Sequence, residues 1–262
     1  MDFSVSKTIA LRNAVYLNNA LISLDFSLSR SVWLNVGVSA LLMVSGTARA
    51  DSLDLVGKTA YPQTSSAVSI HCASPVAPEF QRSCRVSPGL WRSERPTTLT
   101  ASKLIEQGAA SVVNLELLHS DLEAFHLARP RLSQPKPLHY FRVPDWEPLV
   151  IMAPKKVDDH VAHFIAVTRI APQPILVHCR SGQNRTGVMV AAWRLFQGQD
   201  MNTVLTDMKS YGGFWSDQDT RYLQTLTPQR RAALETRIRY WMKHSRPEAV
   251  LTCGTTGCQS VQ

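Results

Sequence analysis

The chain has no HExxH pair, no separate glycine-rich nucleotide loop and no Ser/His/Asp order. Zinc-peptidase, nucleotide-loop and serine-hydrolase chemistries therefore have no foothold. It has no internal repeat and no long low-complexity segment, so solenoids and linker arrays are excluded. Its apolar run at residues 32–44 is short of the roughly 20 residues that a membrane-spanning helix needs. Acidic residues are outnumbered, 20 against 28 Lys+Arg, for a net charge of +8. Such a surface favours acidic partners, including phosphopeptides, polyphosphates and anionic polymers. The arginines are scattered and not clustered with aromatics, so nucleic acid is not an expected partner.

The short apolar run has a further reading. Arg30 precedes it, and Ser45-Gly-Thr-Ala-Arg-Ala50 follows with small residues where a signal peptidase cuts. Residues 1–50 read as a cleaved export signal, which leaves no stable membrane anchor and places the mature chain in a bacterial periplasm or outside the cell. The thirty residues ahead of the run make this leader unusually long, unless the true start lies downstream. Beyond it, residues 51–85 mix Ser, Pro, Thr and Ala with little periodicity and read as an arm. Residues 86–245 alternate strand and helix signals, and 246–262 read as a tail. The alternation implies an α/β domain: a central, mostly parallel sheet of about four or five strands with helices on both faces. The expected helices are 100–107, 118–128, 158–170, 188–196, 201–211 and 228–244. Asp158 reads as the N-cap of the third.

What the chain does contain is concentrated in ten residues, His178-Cys-Arg-Ser-Gly-Gln-Asn-Arg-Thr-Gly187. They follow the apolar run Pro174-Ile-Leu-Val177 and precede an apolar helical pattern, an order of strand, tight loop and helix. Such a loop aims a thiol, the backbone N–H groups of Arg180, Ser181, Gly182, Gln183, Asn184 and Arg185, and a helix N-terminus at one point. Each favours negative charge there, so the natural occupant is a phosphate dianion. The amide nest, the helix end and a guanidinium also favour thiolate over thiol, making Cys179 a nucleophile. Gly182 lets the backbone approach the bound oxygens without a Cβ in the way. Arg185 returns as a planar fork that matches two phosphoryl oxygens. Thr186 can hydrogen-bond the sulfur and help it to leave.

Phosphoryl transfer to a thiolate also needs a carboxylic acid opposite the nucleophile to protonate the leaving oxygen. Asp145, in Val143-Pro-Asp-Trp-Glu-Pro148, sits just past an alternating strand, and Glu147 two residues on could serve instead. Other residues are more ambiguous. His160 and His163 lie three apart on a helix, yet no carboxylate or Cys completes a metal site around them, and no cofactor is expected. Tyr211-Gly-Gly-Phe-Trp215 either lines the pocket mouth or closes a helix with core aromatics.

With its extended loop, this sequence resembles the cysteine-dependent protein tyrosine and dual-specificity phosphatases, whose signature is HCxxGxxR[ST]. The resemblance covers residues 86–226 and includes Gly89-Leu-Trp-Arg-Ser-Glu-Arg-Pro96, Gly108-Ala-Ala-Ser-Val-Val-Asn-Leu115 and the acid-bearing Tyr140-Phe-Arg-Val-Pro-Asp145. It looks like the small dual-specificity phosphatases that bacteria export. The resemblance implies a phosphatase fold, hydrolysis through a cysteinyl-phosphate intermediate without a metal, and phosphorylated protein substrates, phosphotyrosine first. A cysteine phytase acting on inositol polyphosphates and a non-catalytic phosphate-binding protein are the alternatives. Of the five cysteines, Cys179 must stay reduced, which leaves an even number for disulfides in an oxidising compartment. Cys72 with Cys84 and Cys253 with Cys258 is the favoured pairing; reduced thiols or a cross-link between the two ends of the domain are the others.

Overall fold

The computed structural model describes residues 75–77, 80, 82–145 and 147–261. The expected leader, most of the expected arm with Cys72, and Trp146 lie outside the described residues. The chain opens with β1 (Cys84–Arg85) and β2 (Leu90–Ser93), continues through β3 (Ser111–Glu116), β4 (Lys136–Asp145) and β5 (Ile175–His178), and closes with β6 (Ala249–Gly254) and β7 (Gly257–Ser260). They form one sheet in the order β1-β2-β5-β3-β4-β6-β7. The central strands β2, β5, β3 and β4 are parallel, while β1, β6 and β7 add antiparallel edges. The expected parallel sheet is therefore its middle, and the edge strands extend it to seven. Two of those edge strands come from the segment expected to be a tail, which is not a tail but part of the sheet. β1 likewise lies in the expected arm, and Val76, Ala77 and Phe80 beside it are buried in the core.

Side-chain alternation along the strands divides the core in two. Trp91, Val112, Leu138, Tyr140 and Leu176 face one side, where α1 (Thr98–Glu106) and α2 (Leu122–Leu127) cover them. Leu90, Val113, Leu115, Phe141, Val143, Ile175 and Val177 face the other. That side is covered by α4 (Pro154–Ile170), α5 (Asn184–Phe196), α6 (Met201–Ser210), α7 (Ser216–Gln224) and α8 (Pro228–His244), with the short α3 (Leu149–Met152) at its margin. Each fully buried Leu, Val or Phe contributes roughly 1.5–3 kcal/mol, so two such layers fix the register of the sheet. That register aligns the carboxyl ends: Ser93 and Asn114 both pair with His178, and Glu116 pairs with Asp145. In an open parallel sheet, ligands bind at this edge.

One expectation fails inside α4. The helix begins at Pro154, so Asp158 is interior rather than an N-cap. Its carboxylate accepts the Tyr222 hydroxyl at 3.0 Å and both of its oxygens accept Arg230 Nη2 at 2.9 Å, which ties α4 to α7 and α8. Proline at the first helical turn is the start signal that the Asp displaced in the sequence reading.

The β6–β7 hairpin closes through a Cys253–Cys258 disulfide between directly opposed residues, Cα atoms 3.9 Å apart. Cys84 is also disulfide-bonded, and Cys179 is a free thiol. Because the hairpin loop is short, the chain-entropy model gives this cross-link about 2 kcal/mol. Replacing Cys253 and Cys258 by Ser is predicted to lower the midpoint of thermal unfolding by a few degrees without abolishing folding, as measured by calorimetry. A loss of all cooperative unfolding would contradict this.

Candidate functional site

The loop between β5 and α5 places Cys179 fully buried at its base, with α5 starting at Asn184. For amides to face an anion, the carbonyls of the same loop must turn away, and three of them have an outward partner. The Arg180 carbonyl accepts from Arg95 N at 3.4 Å, that of Ser181 from Arg82 Nη1 at 3.4 Å, and that of Gly182 from Arg92 Nη2 at 2.7 Å. Gly182 has φ +69°, and a Cβ there would lie 2.6 Å from the Ser93 carbonyl oxygen. The loop therefore packs directly on the end of β2, as the glycine at that position requires. The Gln183 side chain donates to the Tyr211 carbonyl at 2.8 Å, and Gly213 lies so close to Asn184 that a Cβ would come within 2.7 Å of its Nδ2. The segment 211–215 thus braces the loop, with Tyr211 buried and Phe214 86% exposed beside it.

Arg92 is 1% exposed, has no carboxylate partner among the described residues, and lays its guanidinium over the Tyr211 ring at 3.4 Å. Burial lowers its pKa to about 10 despite the favourable fields of Tyr211, Asp207 and Cys179. It is still a cation at neutral pH, beneath the loop that holds the sulfur.

On the other flank of β5, His178 and Asp121 are both completely buried, with Nε2 and Oδ2 2.8 Å apart. The approach is close but off the hydrogen-bonding direction for the imidazole. Burial alone would raise the Asp121 pKa, yet the field of His178 and its hydrogen-bonding neighbours hold it below the usual range. Asn114 donates to Asp121 Oδ2 at 2.7 Å and Tyr140 at 3.2 Å, which makes a polar base under the nucleophile's strand. Among the described residues, Glu116, His119 and Asp121 could approach one cation. However, Glu116 is already paired with Arg95 and Asp121 with His178.

Above the loop, Asp145, Glu147, Asp219 and Arg185 line one pocket with Val150, Val157 and Val188. Arg185 Nε donates to Glu147 Oε1 at 3.2 Å, and its Nη1 reaches the Leu115 carbonyl at 3.4 Å. Asp145 is buried, and its Oδ1 lies 2.7 Å from His160 Nδ1. The two candidate acids are thus distinguished: Glu147 is bound to the Arg185 guanidinium, and Asp145 to an imidazole. Thr186 is buried, with no partner for its Oγ1 among the described residues. Arg180 is exposed, and Ser181 half-buried at the rim. His160 and His163 do not act as a pair. His163 stacks on Trp241 at 4.0 Å, and burial lowers its pKa to about 4.

Arg92 and Asp219 were missed in the sequence, and His160 was seen there without its partner Asp145. Arg92 left one signal, a charge in the middle of a buried strand, while Asp219 left none.

A family model described as a DSP-PTPase phosphatase fused to NAD+ kinase matches residues 81–224. A dual-specificity protein phosphatase named TpbA, from Pseudomonas aeruginosa, is 30% identical over 138 residues, 52% of this chain and 57% of that protein. The chain therefore matches little more than half the length of this relative. An inositol diphosphatase of Arabidopsis thaliana, DSP5, is 28% identical over 72 residues, 27% of this chain and 35% of that protein. The crystal structure of P. aeruginosa TpbA has 22% identity and a TM-score of 0.47, covering 65% of this chain and 95% of the other.

Asp219 generates a prediction. Burial, with the nearby Glu147 and Asp145 charges, raises its pKa from 3.8 to about 7 against the hydrogen bond from Asn184. A raised carboxyl pKa means that the folded state keeps a proton that the unfolded chain releases. Its favourable contribution is complete below about pH 4 and is lost as pH rises through about 7. Asp219→Asn should therefore stabilise the protein by up to about 4 kcal/mol at pH 8 and by little at pH 4, measured by denaturant unfolding at both. An equal difference at the two pH values would contradict this.

Proposed function

The chain belongs to the DSP-PTPase phosphatases, and from that membership we propose that it hydrolyses phosphomonoesters on proteins, phosphotyrosine first, through a cysteinyl-phosphate intermediate. The observation that carries this reading is the pairing of Arg185 with Glu147 directly over the Cys179 loop. A carboxylate there meets the guanidinium as a phosphoryl group would. A substrate dianion displaces Glu147, and Arg185 and the loop amides take its oxygens. The Cys179 sulfur attacks phosphorus while Asp145 protonates the leaving oxygen, and water then attacks the phosphocysteine with Asp145 as base. The Thr186 hydroxyl, buried and without a partner, is free to donate to the departing thiolate.

The rim supports an aromatic substrate. Phe214 stands exposed beside the loop, and Ile151 and Met152 are exposed on α3, whose Val150 lines the pocket. Flat apolar surface of this kind suits a phenyl ring. A second reading, inositol polyphosphates, is favoured by Arg82 and Arg180, both exposed on the loop's outer side. Phosphotyrosyl peptides and inositol phosphates assayed side by side separate the two. We propose also that the enzyme works outside the cytoplasm. The Cys253–Cys258 disulfide, the bonded Cys84 and the leader-like residues 1–50 support an oxidising compartment.

Cys179→Ser should abolish aryl-phosphate turnover, by more than about a thousand-fold, while still binding substrate. Arg185→Lys should cost about a hundred-fold through loss of the bidentate contact. Activity should survive EDTA and be inhibited by vanadate. Turnover persisting in Cys179→Ser would overturn the covalent reading.

A separate prediction concerns Glu147. If it competes with phosphate for Arg185, Glu147→Gln should lower KM for an aryl phosphate several-fold and leave kcat nearly unchanged. A fall in kcat confined to poor leaving groups would instead make Glu147 the acid.

A further inference from the structure

General-acid catalysis asks two things of Asp145. Its proton must sit on the oxygen that faces the leaving group, and the charge left behind must be held. An aspartyl carboxyl rotates in a broad, roughly two-fold well, so nothing intrinsic decides which oxygen carries the proton. Asp145 is buried at the end of β4, and one of its oxygens, Oδ1, is already engaged by Nδ1 of His160 at 2.7 Å. His160 lies on α4, with its side chain 23% exposed.

We infer that His160 is the positioning residue for Asp145: its Nδ1–H donates to Oδ1, so the acidic proton is carried on Oδ2, towards the pocket shared with Arg185. This rests on the proposed role of Asp145 as the acid. In the first step, the S–P bond forms, the substrate P–O bond breaks, and the Oδ2 proton passes to the leaving oxygen. Negative charge then appears on a carboxylate that accepts an N–H, and the hydrogen bond becomes charge-assisted at the moment it is needed. In the second step, water attacks phosphorus, the S–P bond breaks to thiolate, and the water proton goes to Oδ2. His160 keeps its own proton throughout.

The surroundings leave this pair to itself. Across the pocket, Arg185 is taken by Glu147. From α7, the Tyr222 hydroxyl donates to Asp158, and Asp219 accepts from Asn184 at 3.5 Å. On α4, Asp159 accepts from Trp241 Nε1 at 3.1 Å and faces Arg237 at 3.6 Å. His163, one turn from His160, is held neutral by burial and adds no charge.

The test uses the full chain and two aryl phosphates, one with a poor and one with a good leaving group. His160→Ala should lower kcat for the poor leaving group about ten-fold or more, with a distinctly smaller loss on the good substrate and KM near wild type. His160→Asn places an N–H donor where Nδ1 stood and should restore most of the loss; His160→Gln, with its amide further out, should not. That contrast also serves if His160→Ala does not fold. In an Asp145→Asn background, His160→Ala should cost nothing more. Equal losses on both substrates, equal rescue by Asn and Gln, or an added loss in the Asp145→Asn background would overturn the inference. If Asp145→Asn itself shows no dependence on the leaving group, the acid assignment fails instead, and that result is visible separately.

Discussion

The contact on which the site depends is the hydrogen bond from Arg92 to the Gly182 carbonyl. A loop that binds an anion through its amides must point its carbonyls elsewhere, and a peptide at a glycine with φ +69° has little else to stop it turning. Arg92 holds that carbonyl from below at 2.7 Å. It also brings a cation, with no carboxylate partner among the described residues, under the thiol, where the proposed mechanism places an anion. Burying a guanidinium without a carboxylate costs free energy. The structure offsets that cost with the face of Tyr211 and the carbonyl itself.

Around this cation the acidic side chains are sorted by partner. Glu116 goes to Arg95, Glu147 to Arg185, Asp145 to His160 and Asp121 to His178, while burial raises the pKa of Asp219 to about 7. On the proposed mechanism, only the Arg185 pairing must break for a phosphate to bind. The remaining pairs lie beneath or beside the pocket and can persist through the cycle. On the proposed mechanism the basic loop face and the paired carboxylates divide the work, one binding the dianion and the other moving its proton.

The parts legible in the sequence were those whose chemistry needs contiguous residues. The phosphate loop must be built from neighbouring amides, so its glycine, thiol and arginine recur at fixed spacing, and the strand and helix around it follow from periodicity. The central parallel strands were readable for the same reason. The residues that support the site were not, because each acts across distance: Arg92 reaches a carbonyl ninety residues on, and Asp219 meets Asn184 thirty-five residues back. His160 was in view beside His163 with no carboxylate or Cys read as completing a site, and its partner Asp145 went unseen because it lies on another element. The edge strands β6 and β7 were passed over because Cys253-Gly-Thr-Thr-Gly-Cys258 looks like a flexible loop, although its centre is the tight turn of a hairpin.

The account turns on phosphorus passing through Cys179. The most direct measurement is rapid acid quench of the Asp145→Asn enzyme during turnover of an aryl phosphate with a good leaving group, followed by peptide mapping. Loss of the base should let the intermediate accumulate, and a phosphoryl group is predicted on the peptide containing Cys179 and nowhere else. A burst of released phenol with no phosphoryl group on that peptide, or with the group on another residue, would contradict it.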